Sequence, residues 1–374
     1  DRSEAPLPRP SRTLDLADGA RISSSTGGPG DAGALNIQAS ERVDIDGGFS
    51  GIFTATAADA SGHAGTLRVA APMLNIRGGV IDSSTVGDGN AGVVTVAVDT
   101  LQLGDGAQIR SFSGGFDDNN NGALVAGSGN AGSVNVVATG TVTIAGTSGL
   151  RPSGLLTETR GSGAGGDVRL QAASLNLTDG ATISSSTLGS GTAGSVNVLA
   201  SGTVTIAGGS SLRPSGLLTE TQGSGAGGDL TLQAAALQLL GGATISSSTR
   251  GGGAAGDVNV STSGAVTVSG HGDLGSSGLF AETRGAGDGG DVRLQAHVLT
   301  LADGGTISSS SLGSGLAGNI DIRLGDSLEI WGGAISTRAL TSDGGNISIM
   351  APRLIRLVNG QVTTSVENGL GGGG

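Results

Sequence analysis

The chain has 374 residues, including 74 glycines and 8 prolines but no cysteine or tyrosine, and its formal net charge is −12. All 19 basic residues are arginine. This composition excludes collagen, a disulfide framework and a cysteine-based metal site, and an acidic chain without basic clusters is not expected to bind nucleic acid. No apolar run approaches the ~18 residues of a membrane span, so no transmembrane segment is expected.

Taken in chain order, residues 1–12 contain three prolines and are predicted to form an irregular lead-in. Residues 13–370 are predicted to form a single repeat domain, and residues 371–374 a glycine-rich end. A partial repeat with Leu14 and Leu16 is followed by eleven full ones. Their first apolar residues are Leu35, Leu67, Val94, Val134, Val168, Val196, Leu230, Val258, Val292, Ile320 and Ile347.

Each repeat contains three short stretches in which apolar and polar residues alternate, which is typical of β-strands. In residues 166–194 (GDVRLQAASLNLTDGATISSSTLGSGTAG) the turn between the second and third strands is predicted at Asp179-Gly180. The apolar positions there are Val168, Leu170, Leu175, Leu177 and Ile183.

The middle of the chain has a longer period. From Val134 to Val292 the repeat starts are alternately 34 and 28 residues apart, which makes a double repeat of 62 residues. The long members are predicted to carry an extra corner, as in residues 150–167, whereas the short members have TISSST as their third strand. Residues 116–127 are a polar insertion, which is expected at a corner because lengthening a surface loop costs little free energy.

Three strands per repeat with glycine-rich corners predict an all-β fold, a right-handed parallel β-helix of about eleven three-stranded coils. A propeller would need four strands per blade and aromatic signatures, which are absent. We expect each coil to stack its Val, Leu and Ile side chains on the neighbouring coils. The repeat is read as a segment of a longer filament.

Four short motifs carry a resemblance to a known family: GNAGSVNV (129–136), GTAGSVNV (191–198), AGNIDI (317–322) and GGNISI (344–349). Each is followed by an apolar alternation, and together they resemble the repeat region of filamentous-haemagglutinin-like exoproteins. The resemblance implies an adhesin of a Gram-negative bacterium, secreted by the two-partner route through an outer-membrane translocator and displayed at the cell surface or released.

Aspartates recur just before the first strand, and Asp229, Asp257 and Asp291 fall on three successive coils. Clustered carboxylates could bind Ca²⁺ as a ladder, because this ion prefers several oxygen ligands. Alternatively they form Asx-type turns, since serine and asparagine occupy equivalent positions in other coils. The turn is the preferred interpretation, and no cofactor is expected apart from this Ca²⁺ alternative.

Three glutamates recur every 62 residues, namely Glu158, Glu220 and Glu282. The first and third are followed two residues later by Arg160 and Arg284. Paired carboxylates serve glycoside hydrolysis when they lie ~5–9.5 Å apart. Duplication of a repeat produces the same recurrence without any activity, so exposed ion pairs on turns are the preferred interpretation.

The insertion contains the one polar cluster that is not repeated along the chain: Asp117, Asp118, Asn119, Asn120 and Asn121. These residues are the candidates for contact with a partner, because insertions on repeat scaffolds often lie on the binding face. A solvated loop is the alternative. The histidines share no spacing that predicts a metal site, and the ISSST motifs predict rungs of hydroxyls bonded to like rungs on stacked coils.

The repeats are homogeneous and lack a unique polar constellation, so no enzymatic activity is expected. The preferred hypothesis is a structural and binding segment of a secreted, cell-surface β-helical adhesin that mediates attachment or biofilm and matrix contacts. Its receptor would be a glycan or protein of the host, the surface or the matrix. The alternatives are a polysaccharide-active β-helix enzyme, a lyase or hydrolase, and a passive surface-layer or matrix filament.

Overall fold

The computed structural model describes residues 11–58, 60–117 and 123–368. Within these ranges the chain forms strands and turns but no helix, and hence no helix that could span a membrane. Its strands stack in parallel on those of the adjacent turns. Twelve turns of a β-solenoid are present, one for each strand of the smaller of the two main sheets. The predicted parallel β-helix is confirmed, and at ~4.8 Å per turn it is a rod about 50 Å long.

The larger sheet has 18 strands and forms the first two faces of the solenoid. The opening turn contributes Ser11–Leu16, so the first described strand begins inside the predicted lead-in. Long strands that bend from one face to the next are Leu35–Asp46, Leu67–Arg77, Val94–Gly104, Val292–Ala302 and Ile320–Trp331. The turns with separate strands contain Val134–Ala138 and Thr141–Ala145, Val168–Ala172 and Ser174–Thr178, Val196–Ala200 and Thr203–Ala207, Leu230–Ala234 and Ala236–Leu240, Val258–Thr262 and Ala265–Ser269, and Ile347–Met350 and Leu354–Val358.

The third face is a separate sheet of 12 strands that pair in chain order. The strands are Arg21–Ser23, Gly51–Phe53, Val80–Asp82, Gln108–Ser113, Gly154–Thr159, Thr182–Thr187, Gly216–Thr221, Thr244–Thr249, Gly278–Thr283, Thr306–Ser311, Ala334–Ala339 and Gln361–Val366. Each strand is covered on both edges by the turns before and after it, except at the two ends of the described rod.

The core is a set of apolar columns between the three faces. Val168 pairs with Val196 and Leu170 with Val198 in the neighbouring turn, so like residues stack along the axis. All five apolar positions predicted from residues 166–194 are at most 2% exposed. Burying these side chains is the main favourable contribution to stability, at roughly 25 cal/mol per Å² of apolar surface.

Buried hydroxyls line the inner side of the third face. Ser185 is fully buried and donates to the carbonyl of Gly166 at 2.8 Å, and Ser247 donates to Gly228 at 2.9 Å. The flanking Ser184 and Ser186 point outward and bond to each other at 2.8 Å. The predicted bonding between like rungs is therefore wrong for these motifs, because the inward hydroxyls satisfy the carbonyls of the glycine corner instead.

The extra residues of the long turns form three short antiparallel hairpins between the second and third strands. They pair Thr147–Ser148 with Arg151–Pro152, Gly209–Ser210 with Arg213–Pro214, and His271–Gly272 with Gly275–Ser276. The LLTET segment that follows was predicted to belong to a corner, and this is wrong. It is the third strand itself, since Leu155 pairs with Ile183 and Thr157 with Ser185. The inward alternation of Leu155, Thr157 and Thr159 matches that of TISSST.

Two kinds of corner close the turns. Asp179 and Gly180 both have positive φ, 58° and 84°, which confirms the predicted tight turn. The other kind of corner lies between the third strand of one turn and the first strand of the next, and it is a stack of glycines whose backbones lie against one another. A Cβ on Gly225 would overlap the carbonyl of Gly191 in the turn below, so only glycine fits there.

Candidate binding groove

The outer side of the third face changes from turn to turn. Long turns, those with a hairpin, present an apolar side chain and a glutamate, such as Leu156 and Glu158. Short turns present a pair of serines, such as Ser184 and Ser186, in the same register. The pattern continues with Leu218 and Glu220, Ser246 and Ser248, Phe280 and Glu282, and Ser308 and Ser310. The chemistry of this surface therefore repeats every second turn, at ~10 Å intervals.

Two rows of residues rise on either side of this surface. On one side stand the hairpins, whose tips carry Leu150, Leu212 and Leu274 at 75%, 55% and 54% exposure. On the other side stand the residues that follow each third strand, including Arg160 and Arg250. Two adjoining depressions share Arg213, Leu218 and Glu220 and together form one open channel, which we call the groove.

The groove runs along the solenoid axis from the strand Gln108–Ser113 to the strand Gly278–Thr283. These are six successive strands of the third face, so the groove is ~25 Å long. The sequence prediction placed the glutamates on turns, and this is wrong: Glu158, Glu220 and Glu282 lie in strands on the groove floor. Their two-turn spacing follows from the 62-residue double repeat.

The glutamates have different surroundings. The Nε of Arg160 lies 2.6 Å from Oε1 of Glu158 in a half-buried ion pair. Ser308 donates to Oε1 of Glu282 at 3.0 Å. Burial raises the pKa of Glu282 above its ordinary value, against the opposing effects of the Ser308 hydrogen bond and of Arg284 and Arg338. Glu282 is thus the floor carboxyl whose charged form is disfavoured by burial.

Arginines at the start of the groove are held in place by backbone carbonyls or acids. Arg110 lies 2.7 Å from Asp82, which is 5% exposed. Arg151 reaches the carbonyls of Gly78 and Gly79 at 3.4 and 3.5 Å. Its pKa is lowered, first by burial and then by Arg110, while Asp82 acts in the opposite direction. Arg213 donates to the carbonyl of Leu150 at 3.0 Å and so ties two hairpins together across two turns.

The groove lining contains six arginines and three glutamates, a net formal charge of +3 in a chain of net charge −12. The arginines are Arg110, Arg151, Arg160, Arg213, Arg250 and Arg284. Sequence reasoning missed this concentration because the arginines come from three kinds of position: a third strand, the hairpins, and the residues that follow third strands. One signal was present: the segment LRPSGLLTET occurs at 150–159 and again at 212–221, and the arginines it contains at 151 and 213 line the groove.

The predicted aspartate cluster lies elsewhere, before the first strands, and does not line the groove. The Oδ1 of Asp229 accepts the amide of Asp257 at 2.9 Å, and Oδ1 of Asp257 accepts that of Asp291 at 2.9 Å. Arg293 binds the second oxygens of Asp257 and Asp291 at 2.5 and 2.6 Å. The aspartates thus form a hydrogen-bonded ladder between turns, and the described residues include no group of three or more acids, histidines or cysteines placed to hold a metal.

The predicted partner-binding insertion forms another hairpin, in which Gly115–Asp117 pairs with Ala123–Val125. Asp117 ends the first of these strands. Asp118, Asn119, Asn120 and Asn121 lie outside the described residues. His63 belongs to a second corner ladder: its amide donates to Asp31 at 2.8 Å and its Nδ1 accepts the amide of Asn90 at 2.9 Å.

Comparisons of the chain with protein-family models, curated proteins and solved structures found no match. The resemblance to filamentous-haemagglutinin-like exoproteins therefore rests on the sequence motifs alone. The groove and its charges are the features from which a function can be argued.

Proposed function

We propose that this solenoid is the rigid binding segment of a secreted, cell-surface adhesin that attaches through the groove. The observation that carries the proposal is that the groove follows the rod axis and repeats its chemistry every second turn. A repeated surface engages several units of one receptor chain at once, which raises avidity without requiring any single strong contact. This distribution suits attachment better than catalysis, which needs one unique constellation.

The route to the cell surface is also part of the proposal. The motifs that resemble filamentous-haemagglutinin-like repeats support export by an outer-membrane translocator of the two-partner type in a Gram-negative bacterium. The absence of cysteine agrees with this route, since disulfides formed in the periplasm would obstruct passage of an unfolded chain. In this proposal the segment belongs to a longer filament.

The test is attachment by beads coated with the purified chain. The beads are presented to cell-surface and glycan arrays with Ca²⁺ and with chelator, and polysaccharide cleavage is assayed on the same samples. Saturable attachment without cleavage would support the adhesin. The absence of saturable attachment to every surface, together with lateral or end-to-end assembly, would reject it in favour of a passive filament.

A polysaccharide-active enzyme is the second candidate, and one observation favours it. Glu282 lies in an open groove with its pKa raised by burial, beside Arg284 on the groove wall. A carboxyl whose pKa is raised holds its proton to higher pH than an exposed one, which is the direction that suits a general acid. Cleavage that survives repurification and is lost in Glu282→Gln would establish this activity and contradict the adhesin.

A further inference from the structure

We infer that the groove binds an extended acidic polysaccharide that lies along the solenoid axis, with its acid groups on the arginines. This inference rests on the proposed binding function and names the chemical class of the ligand.

The first argument is the pairing of the groove arginines. Arg110 and Arg160 are in ion pairs with Asp82 and Glu158. The other four arginines of the lining have no carboxylate within ion-pair distance among the described residues; they are Arg151, Arg213, Arg250 and Arg284. Guanidinium groups bind carboxylates and sulfates through two parallel hydrogen bonds. The unmatched positive charge therefore favours an anionic occupant.

The second argument is the shape of the groove. It is open along its length and spans six turns, ~25 Å, so it fits a polymer better than a small molecule. Its floor is made of outward side chains of a sheet whose strand edges are already paired within the solenoid. An extended peptide could not add itself as a further strand there, because no free backbone donors or acceptors line the groove floor.

The third argument is the chemistry of the floor. Serine pairs alternate with Glu158, Glu220 and Glu282, so hydroxyl groups and carboxylate acceptors recur along the axis. Sugar hydroxyls can donate to these carboxylates, whereas the backbone of a DNA strand has no free hydroxyls along its length. Leu218 and Phe280 supply apolar surface between the polar positions. A polymer that carries both hydroxyls and acid groups meets all of these features.

The experiment measures binding of the full chain to polygalacturonate, dextran sulfate, neutral dextran and a single-stranded DNA oligonucleotide. The test variant is Arg250→Gln with Arg284→Gln, since both side chains are exposed and make no ion pair in the described structure. The matched control is Arg68→Gln with Arg356→Gln, which removes the same charge from exposed positions on the larger sheet that do not line the groove. Circular dichroism and thermal melting confirm that both variants are folded.

We expect the unmodified chain to bind one of the acidic polysaccharides, and we expect added salt to weaken this binding. The affinity of the groove variant should be lower than that of the unmodified chain by a factor of about ten or more. The control is expected to change the affinity by less than about twofold, because neither of its side chains belongs to the groove lining. Preference for polygalacturonate would identify carboxylates as the recognised groups, and preference for dextran sulfate would identify sulfates; either supports the inference.

Three results would overturn the inference. The groove variant and the control could lose affinity equally, or the unmodified chain could bind neutral dextran as tightly as the acidic polysaccharides. The third is that the chain binds the oligonucleotide more tightly than the polysaccharides and through the same arginines. The bead assay separates this failure from that of the adhesin. If beads coated with the unmodified chain attach but no acidic polysaccharide binds that chain, the ligand class is wrong and the adhesin stands.

Discussion

At the scale of single residues, side chains at the corners act as connectors between turns. Asp229, Asp257 and Asp291 each accept an amide from the following turn, and Asn319 continues the series by accepting the amide of Asn346 at 3.0 Å. The sequence-based interpretation was a turn within one coil, whereas the bonds run between coils. Aspartate, asparagine and histidine are interchangeable in such ladders because each offers one acceptor atom at the required position.

Substitutions at Asp257 test the ladder. Asp257→Asn keeps an acceptor for the amide of Asp291 and should change the free energy of unfolding by less than about 1 kcal/mol. Asp257→Ala removes the acceptor and the pairing with Arg293, and should cost about 1 kcal/mol or more. Urea unfolding measures both. We expect chelator to leave the melting temperature unchanged; stabilisation by Ca²⁺ that disappears in Asp257→Asn would instead establish an ion site.

Glu282 predicts a pH dependence. Its folded-state pKa is raised above the ordinary value of 4.5, mainly by burial. The folded state therefore binds this proton more tightly than the unfolded state, so the stability contribution is largest at low pH and falls as pH rises through and above 4.5. Glu282→Gln should remove this loss, so the variant should gain stability relative to the unmodified chain as pH rises.

The measurement is thermal melting of both proteins from acidic to neutral pH. Glu220→Gln, in the same outward column two turns away, is the matched control for loss of a groove carboxylate. A difference between Glu282→Gln and the unmodified chain that is constant over this pH range would show that folding does not raise the pKa of Glu282.

At the scale of elements, the glycine corners and the hairpins have opposite tolerances. The corners are packed backbone against backbone, so that a Cβ on Gly225 would meet the carbonyl of Gly191. The hairpins project from the solenoid and carry exposed leucines, such as Leu150 and Leu212. Variation in length is therefore accommodated by projecting hairpins: three lie between the second and third strands, and one, which pairs Gly115–Asp117 with Ala123–Val125, follows a third strand.

Two glycine substitutions test this contrast. Gly225→Ala should destabilise the solenoid by about 1–3 kcal/mol, because the backbone of the turn below must shift. Gly252→Ala lies in the same kind of corner but has open space around its Cβ position, so it should change stability by less than about 0.5 kcal/mol. Denaturant unfolding of the two variants gives the comparison. Equal destabilisation would contradict the close stacking of turns.

At the scale of the whole molecule, stability is shared between neighbouring turns. Each turn buries its apolar side chains only against the turns above and below, so a defect in one turn removes support from the next. Val258 is fully buried and pairs with Leu230 and Val292 in the adjacent turns. The same stacking gives the groove its length, since each repeating unit of the groove takes two turns.

Val258→Asp and Ile320→Asp test the shared core. Each would bury an unpaired carboxylate at a position that is at most 1% exposed, which should unfold several turns and cost more than about 3 kcal/mol. Asn259→Asp, at the neighbouring outward position, is the control and should be nearly neutral. Far-UV circular dichroism and melting report the loss; unchanged signals in both core variants would contradict the strand assignment.

The sequence by itself determined the solenoid. A period of two within strands, Asp-Gly turns and glycine corners predicted which residues point inward, and Val168, Leu170 and Ile183 are buried as predicted. These features are local or repeat at a fixed spacing, so the sequence alone shows them. The same repeats predicted about eleven coils, and the structure has twelve turns because the opening partial repeat also forms one.

Only the tertiary structure revealed the groove. Arg160 follows a third strand, whereas Arg213 belongs to a hairpin two turns and some fifty residues further on. Nothing in the local pattern indicates that they flank one channel. The sequence predicts that the LLTET segments belong to an extra corner of the long repeats, but their pairing with TISSST makes them strands. Register between stacked turns decides which outward side chains become neighbours, and it is set by backbone pairing of residues far apart in the chain.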